Sequence, residues 1–123
     1  MRSDREHKIQ AEFIKWVRLN EMRIKELQLL YAIPNQSYGG TPRDKVRGAK
    51  FKREGRRAGV PDLHLPVPFG GYASLYMEVK DTGKYPTPDQ KSFSSLLESC
   101  GNKYVICRST TELIKNIKIY LNL

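Results

Sequence analysis

Cysteine, histidine and long apolar runs are all scarce in this chain, and each scarcity removes a class of function. Two cysteines, Cys100 and Cys107, stand among 123 residues. That is too few for a disulfide framework, so free thiols in a reducing compartment are expected, and the cytoplasm is the expected location. The two histidines, His7 and His64, lie far apart. They supply neither a Cys/His zinc cluster nor the His-Asn-His spacing of a histidine-based nuclease. No stretch approaches the roughly 18 apolar residues of a membrane span. The segment Met1 to Lys8 is charged where a signal peptide would be apolar. No glycine-rich loop ending in lysine suggests nucleotide hydrolysis, so a small-molecule substrate is not expected. Repeats, low-complexity tracts and linkers are missing as well. At this length one modest core is the limit, and residues 1–123 are read as a single domain.

Acidic residues are also in deficit: 22 lysines and arginines face 13 aspartates and glutamates, a formal charge of +9. The excess is local. Residues 43 to 57 hold Arg43, Lys45, Arg47, Lys50, Lys52, Arg53, Arg56 and Arg57 against Asp44 and Glu54. A concentrated positive patch suits a polyanion, and nucleic acid is the first choice. The plain alternative is a solvated basic loop. A membrane surface fits less well, because the stretch lacks the bulky apolar face of an interfacial helix.

What is present is clear periodicity. Ile9, Phe13, Trp16 and Val17 recur at helical spacing, predicting a helix over about Asp4–Asn20. Glu12 lies on that same stripe, three after Ile9 and four before Trp16. It either reaches water at the stripe's edge or is held inward by a metal or a basic partner, since an unpaired buried carboxylate is costly. Leu27 to Ile33 reads as a buried strand stopped by Pro34-Asn35. Thr41-Pro42 can open a short helix, but the basic stretch after it has little apolar surface and is expected to be loosely held without a ligand. Val60–Leu65 and Ala73–Lys80 are strand candidates, joined by the Pro- and Gly-rich segment Pro66–Tyr72. Thr87, Pro88 and Gln90 form a capping-box start for a helix that Gly101 ends. Lys103–Cys107 is a strand, and Ser109 with Glu112 opens a last helix. A strand–helix–strand crossover of this kind predicts an α/β fold with a mixed central sheet flanked by helices.

The most informative feature is Pro61-Asp62 followed, sixteen residues after the aspartate, by Glu78-Val79-Lys80. In Ala73 to Lys80 the apolar residues Ala73, Leu75, Met77 and Val79 alternate with the rest. Glu78 and Lys80 therefore point to one side, and Asp62 sits beside Glu78 if the two strands pair. Two acids and a lysine so placed can hold a divalent metal and a water against a phosphodiester. Magnesium takes hard oxygen ligands and keeps several waters, so one or two carboxylates plus substrate phosphate suffice. The bland reading is a surface strand with an ordinary Glu/Lys pair and a turn aspartate.

Together and in order, these motifs resemble the PD-(D/E)xK nuclease superfamily, and more narrowly the virus-type replication-repair nuclease (VRR-NUC) family. The matching residues are Glu12, Ala32-Ile33-Pro34-Asn35, Gly55 through Leu63, Met77-Glu78-Val79-Lys80, Gln90 and Ser109. The resemblance implies a restriction-endonuclease-like core, with Asp62 and Glu78 as metal ligands, the Val79 carbonyl as a third and Lys80 as the catalytic lysine. It implies that Glu12 completes the acidic cluster, and that Gln90 supports the site unless it is only a helix cap. Asp81 departs from the pattern, where relatives commonly carry a basic residue.

The function so implied is a magnesium-dependent endodeoxyribonuclease, with manganese able to substitute. Its DNA would be held by Lys50, Lys52, Arg53, Arg56 and Arg57. Single-domain members of phage and bacterial type further imply branched DNA, in particular four-way junctions, and a homodimer working in the bacterial cytoplasm. The alternative is a non-catalytic DNA-binding module that keeps the nuclease-like fold.

Overall fold

A computed structural model describes residues 2–34 and 40–123. The expected Asn35 and the first of the paired glycines, Gly39, lie outside the described residues. Helix α1 spans Asp4–Asn20, and Ser3 caps it in a reciprocal box with Glu6. Its buried stripe is Glu6, Ile9, Phe13 and Val17. A 3-10 helix, Lys25–Leu29, follows, and then strand β1 is only Tyr31–Ala32, exposed at both residues. The buried strand expected over Leu27 to Ile33 is therefore corrected. Ile24 and Leu27, three apart, are what this segment buries, which is a helical spacing and not an alternating one.

Helix α2, Pro42–Arg53, is capped by Thr41 and buries no residue. Strands β2 (Leu63–Leu65) and β3 (Leu75–Val79) lead to helix α3 (Pro88–Ser99), strand β4 (Lys103–Cys107) and helix α4 (Thr110–Tyr120). The four strands form one mixed sheet in the order β1-β2-β3-β4. The first two pairings are antiparallel, and β3 runs parallel to β4.

Register decides which side chains share a face. Leu63 lies opposite Met77, and Met77 opposite Val105. With Leu65, Leu75, Val79 and Cys107 these residues meet Ile9, Phe13 and Val17 of α1 and Leu113, Ile117 and Tyr120 of α4 in the core. A side-chain period of two sends the intervening residues, among them His64, Tyr76, Glu78 and Tyr104, to the opposite face. Helix α3 packs against β4, and the charge of its Glu98 acts on the Tyr104 phenol of that face. Both cysteines are free thiols. Cys107 is fully buried, and burial pushes its thiol up to about 12, so it is an inert core group. Among the described residues no helix is long and apolar enough to cross a membrane.

Candidate active site

Antiparallel pairing of β2 with β3 brings the ends of both motifs together. Asp62 precedes β2, and its Oδ2 accepts the Val79 backbone N–H at 2.7 Å, which fixes the carboxylate against β3. The Asp62 carbonyl accepts from Ile33 N–H at 2.8 Å, tying the same residue to the strand before it. Glu78 is 2% exposed and Asp62 5%. The two carboxyl groups act strongly on each other, and Glu78 is held well above the usual carboxylate range. Burial is the largest cause; the neighbouring Asp62 carboxyl and its negative charge add to it. The charges of Lys80 and Arg2 work in the opposite direction, so both cations act directly on this pair.

The loop entering the site has one position that only glycine fits. Gly59 has a φ of +82°, and an added Cβ would lie 2.4 Å from the Asp89 carbonyl oxygen. The segment Gly59-Val60-Pro61-Asp62 therefore rests directly on the start of α3. At that start Thr87 and Gln90 form a complete capping box, with the Gln90 Oε1 accepting from Thr87 N–H at 2.9 Å. The cap thus occupies the carbonyl end of the Gln90 side chain.

Glu12 is not where the stripe suggested. It is exposed, and its Oε2 accepts from the Thr110 hydroxyl at 3.1 Å, on the α4 side of the helix. At 100° per residue it lies about 100° from the centre of the buried stripe, so the expectation of an inward Glu12 is corrected. The buried acid of α1 is Glu6, 3% exposed. Its Oε2 accepts the Asp81 N–H at 2.7 Å, just past the Glu78-Val79-Lys80 motif. Glu6 stands three residues before Ile9, on the helical spacing of the stripe. That spacing was a usable signal, since Glu6 extends the Ile9, Phe13 and Val17 stripe by one turn.

Two more residues at the site escaped the sequence reading. The Arg2 guanidinium stands 3.8 Å from Asp62 Oδ1 and donates to the Glu6 carbonyl at 3.1 Å. Tyr104 presents a buried hydroxyl without a hydrogen-bond partner, and burial, with Glu78, Asp62 and Glu98 behind it, keeps its phenol protonated. No local motif marks either one. Asp81, the departure from the family pattern, is a structural hub. It takes an ion pair from Arg5 at 3.1 Å and a hydrogen bond from Ser3 at 3.1 Å. Arg108 closes the same turn by donating to the Asp81 and Lys84 carbonyls.

Does the donor set suit a divalent ion? Among the described residues no group of three or more His, Cys, Asp or Glu side chains forms a metal cluster. Two carboxylates in contact are nonetheless enough for magnesium, which keeps most of its waters. Glu78 Oε1 is buried and has no partner, the signature of an acceptor set up for something from outside the chain. The residues fit.

Such a sheet, with an Asp before one strand and a Glu-x-Lys on its neighbour, defines a restriction-endonuclease-like nuclease domain. A solved structure described as "VRR_NUC domain protein" superposes on it with a TM-score of 0.79 at 27% identity, covering 100% of this chain and 93% of that one. That likeness, over the whole chain, supports the VRR-NUC resemblance read from the sequence motifs. No family model matches its sequence, and no curated protein does either.

Proposed function

We propose that the chain is a divalent-metal-dependent endonuclease acting on DNA, with branched DNA as its preferred substrate. The observation that carries this reading is the buried Asp62–Glu78 pair, with an unpartnered Glu78 oxygen and Lys80 beside it. Two acids pressed together away from water, one of them held protonated, is an arrangement that a structural role would not need.

Asp62, Glu78 and the Val79 carbonyl would hold magnesium, with manganese as a substitute. When bound, the ion supplies Lewis acidity toward the phosphate and a lowered pKa for water. The rest of the chemistry falls to the chain's own side chains. Fixed by the Val79 N–H, Asp62 keeps one oxygen orientation throughout. Lys80 shares the Glu78 face and orients the attacking water or balances charge gathering on the phosphate. Glu6 holds the strand end that carries Lys80, through the Asp81 N–H, and so positions the lysine without touching substrate. Phosphate contacts to the flanking DNA come from Lys50, Lys52, Arg53, Arg56 and Arg57. Gln90 serves as a helix cap beside Gly59 of the loop that leads to Asp62.

A homodimer is part of the same reading. One chain carries one acid pair and cuts one strand, whereas a four-way junction needs two symmetric nicks from a two-fold assembly. The test is a panel of duplex, single-stranded, flap, fork and four-way-junction DNA with magnesium and with EDTA, alongside light scattering. Magnesium-dependent paired nicks at junctions by a species of twice the chain mass are expected. DNA binding without cleavage of any member would leave a non-catalytic module in its place.

A further inference from the structure

Next to the acid pair on the same face runs a row of aromatic rings. Tyr31 lies opposite His64, His64 opposite Tyr76, and Tyr76 opposite Tyr104. The row contains one ring from each of the four strands. Asp62, two residues before His64, and Glu78, two residues after Tyr76, form the next row, about 7 Å away. The distance is within the reach of a single nucleotide.

The outer part of this row is rigid. His64 and Tyr76 stack with centroids 4.0 Å apart and planes 12° from parallel. Tyr31 meets the His64 ring edge-on at 5.3 Å and is 48% exposed. A chain of hydrogen bonds locks the imidazole. The Ser74 hydroxyl donates to Asn102 Oδ1 at 2.6 Å, and so accepts from the His64 Nε2–H at 3.0 Å. His64 Nδ1 then accepts from the Tyr31 hydroxyl at 2.7 Å. At its far end the Asn102 amide donates to the Leu97 carbonyl of α3.

An exposed tyrosine usually samples several rotamers. This one is held by its hydroxyl and by a ring contact, while nearly half of it stays open to solvent. The cost of ordering an aromatic anchor has thus been met before any ligand arrives. The apolar residues of the core do not need it, since they lie on the other face of the sheet.

We infer that Tyr31, backed by His64 and Tyr76, is a stacking subsite for one unpaired nucleobase next to the phosphate held at Asp62 and Glu78. The inference rests on the nuclease reading and narrows its substrate to DNA with an unstacked nucleotide beside the cut. Bases inside a duplex cover one another's faces, so only a splayed or single-stranded base can lie on this ring. Positive charge for such a strand is close by in the chain. The basic stretch from Arg43 to Arg57 occupies the chain between β1 and β2, the strands that carry Tyr31 and His64. The simplest competing role is a tyrosine that merely shields the edge strand.

The test uses the full chain carrying Asp62→Asn, so that DNA is bound and not cut. Three probes carry 2-aminopurine: a forked duplex with the fluorophore in the first unpaired nucleotide, a continuous duplex, and a single strand. Stacking on Tyr31 should quench the fork and single-strand signals, and leave the duplex signal unchanged. Tyr31→Ala should weaken fork and single-strand binding roughly ten-fold and duplex binding less than two-fold. Tyr31→Phe keeps the ring and should stay close to the parent. Should Tyr31→Ala fold poorly, the quenching by the parent protein and the Tyr31→Phe comparison still decide. Absence of quenching on the fork, or equal losses on all three probes, overturns the stacking subsite. Cleavage by the unmodified chain is measured separately, so a nuclease failure and a stacking failure are read from different experiments.

Discussion

The surroundings of the acid pair and the basic helix α2 are opposite ways of building a functional surface. Asp62 and Glu78 are almost fully buried, and Asp62 is fixed by a backbone N–H of the core strand β3. Helix α2 buries no residue and carries its charges outward. The first surface is shaped by packing, and its geometry comes from the same core that holds the fold together. The second is shaped by charge, and needs only to present cations near a polyanion. Chemistry demands tolerances of fractions of an ångström, whereas phosphate neutralisation does not. It follows that single substitutions should act steeply around Asp62 and gradually along α2.

The steepest effect is expected at the acids themselves. Asp62→Ala or Glu78→Ala should lower cleavage by about 10³-fold or more, since several kcal/mol of charge stabilisation would go with the ion. DNA affinity should hold or rise, because a negative charge facing phosphate has been removed. Initial rates on a cleaved junction, with binding measured in parallel by anisotropy, check both halves. Equal losses of rate and affinity would mean that these acids serve binding and not chemistry.

Gly59 tests whether the rigid surface depends on close packing. A methyl group there meets the Asp89 carbonyl at 2.4 Å, with the backbone at a φ that alanine disfavours. Gly59→Ala should therefore destabilise the fold by about 2–5 kcal/mol, from the backbone strain and the forced shift together. Chemical denaturation measures it. A loss below about 1 kcal/mol would show that the loop before Asp62 yields easily.

Much of this was legible in the sequence, and the misses have physical causes. Alternation in Ala73 to Lys80 placed Glu78 and Lys80 on one face because strand periodicity is strict. The helix caps at Thr87 and Ser109 were readable because they are local chemistry. Glu12 was misplaced because neighbouring positions on a helix differ by only 100°, and a carboxylate one step from Phe13 passes for a member of the stripe. Leu27 to Leu29 was misread as strand, and only Tyr31–Ala32 of that run is one, because a short apolar run does not distinguish the two periods. Arg2 and Tyr104 reach the site from distant parts of the chain, and only the assembled sheet brings them there. The Tyr31–His64–Ser74–Asn102 chain links four separate segments for the same reason.

Acid–base linkage sharpens the contrast further. Glu78 has a folded pKa raised above its unfolded value of about 4.3. A raised carboxyl favours the folded state while protonated, so this contribution is complete below the unfolded pKa and is lost as pH climbs through the folded one. Metal-free protein should therefore melt at progressively lower temperature from about pH 5 upward. Millimolar magnesium should restore part of the loss by binding the ionised pair. Glu78→Gln should flatten the pH dependence and abolish the magnesium effect. A magnesium shift that persists in Glu78→Gln would place the ion elsewhere.

The smallest effect on the fold belongs to α2. Lys50, Lys52 and Arg53 of α2, and Arg57 just beyond it, are exposed, and replacing any one with alanine uncovers no buried residue. Each replacement should shift stability by no more than about 0.5 kcal/mol. DNA binding should respond differently, because every phosphate contact releases counterions and contributes about one unit to the log–log dependence of affinity on salt. The four single variants should lower that slope additively, which a packed interface would not allow, and affinity should converge toward the parent as salt rises. Tyr31→Ala, by contrast, should leave the slope intact while weakening forked DNA, since stacking releases no counterions. Binding isotherms at four salt concentrations separate the two behaviours. Should the α2 variants keep the parent slope, the phosphate track lies on another face, and the steep site at Asp62 receives its DNA from a direction that α2 does not control.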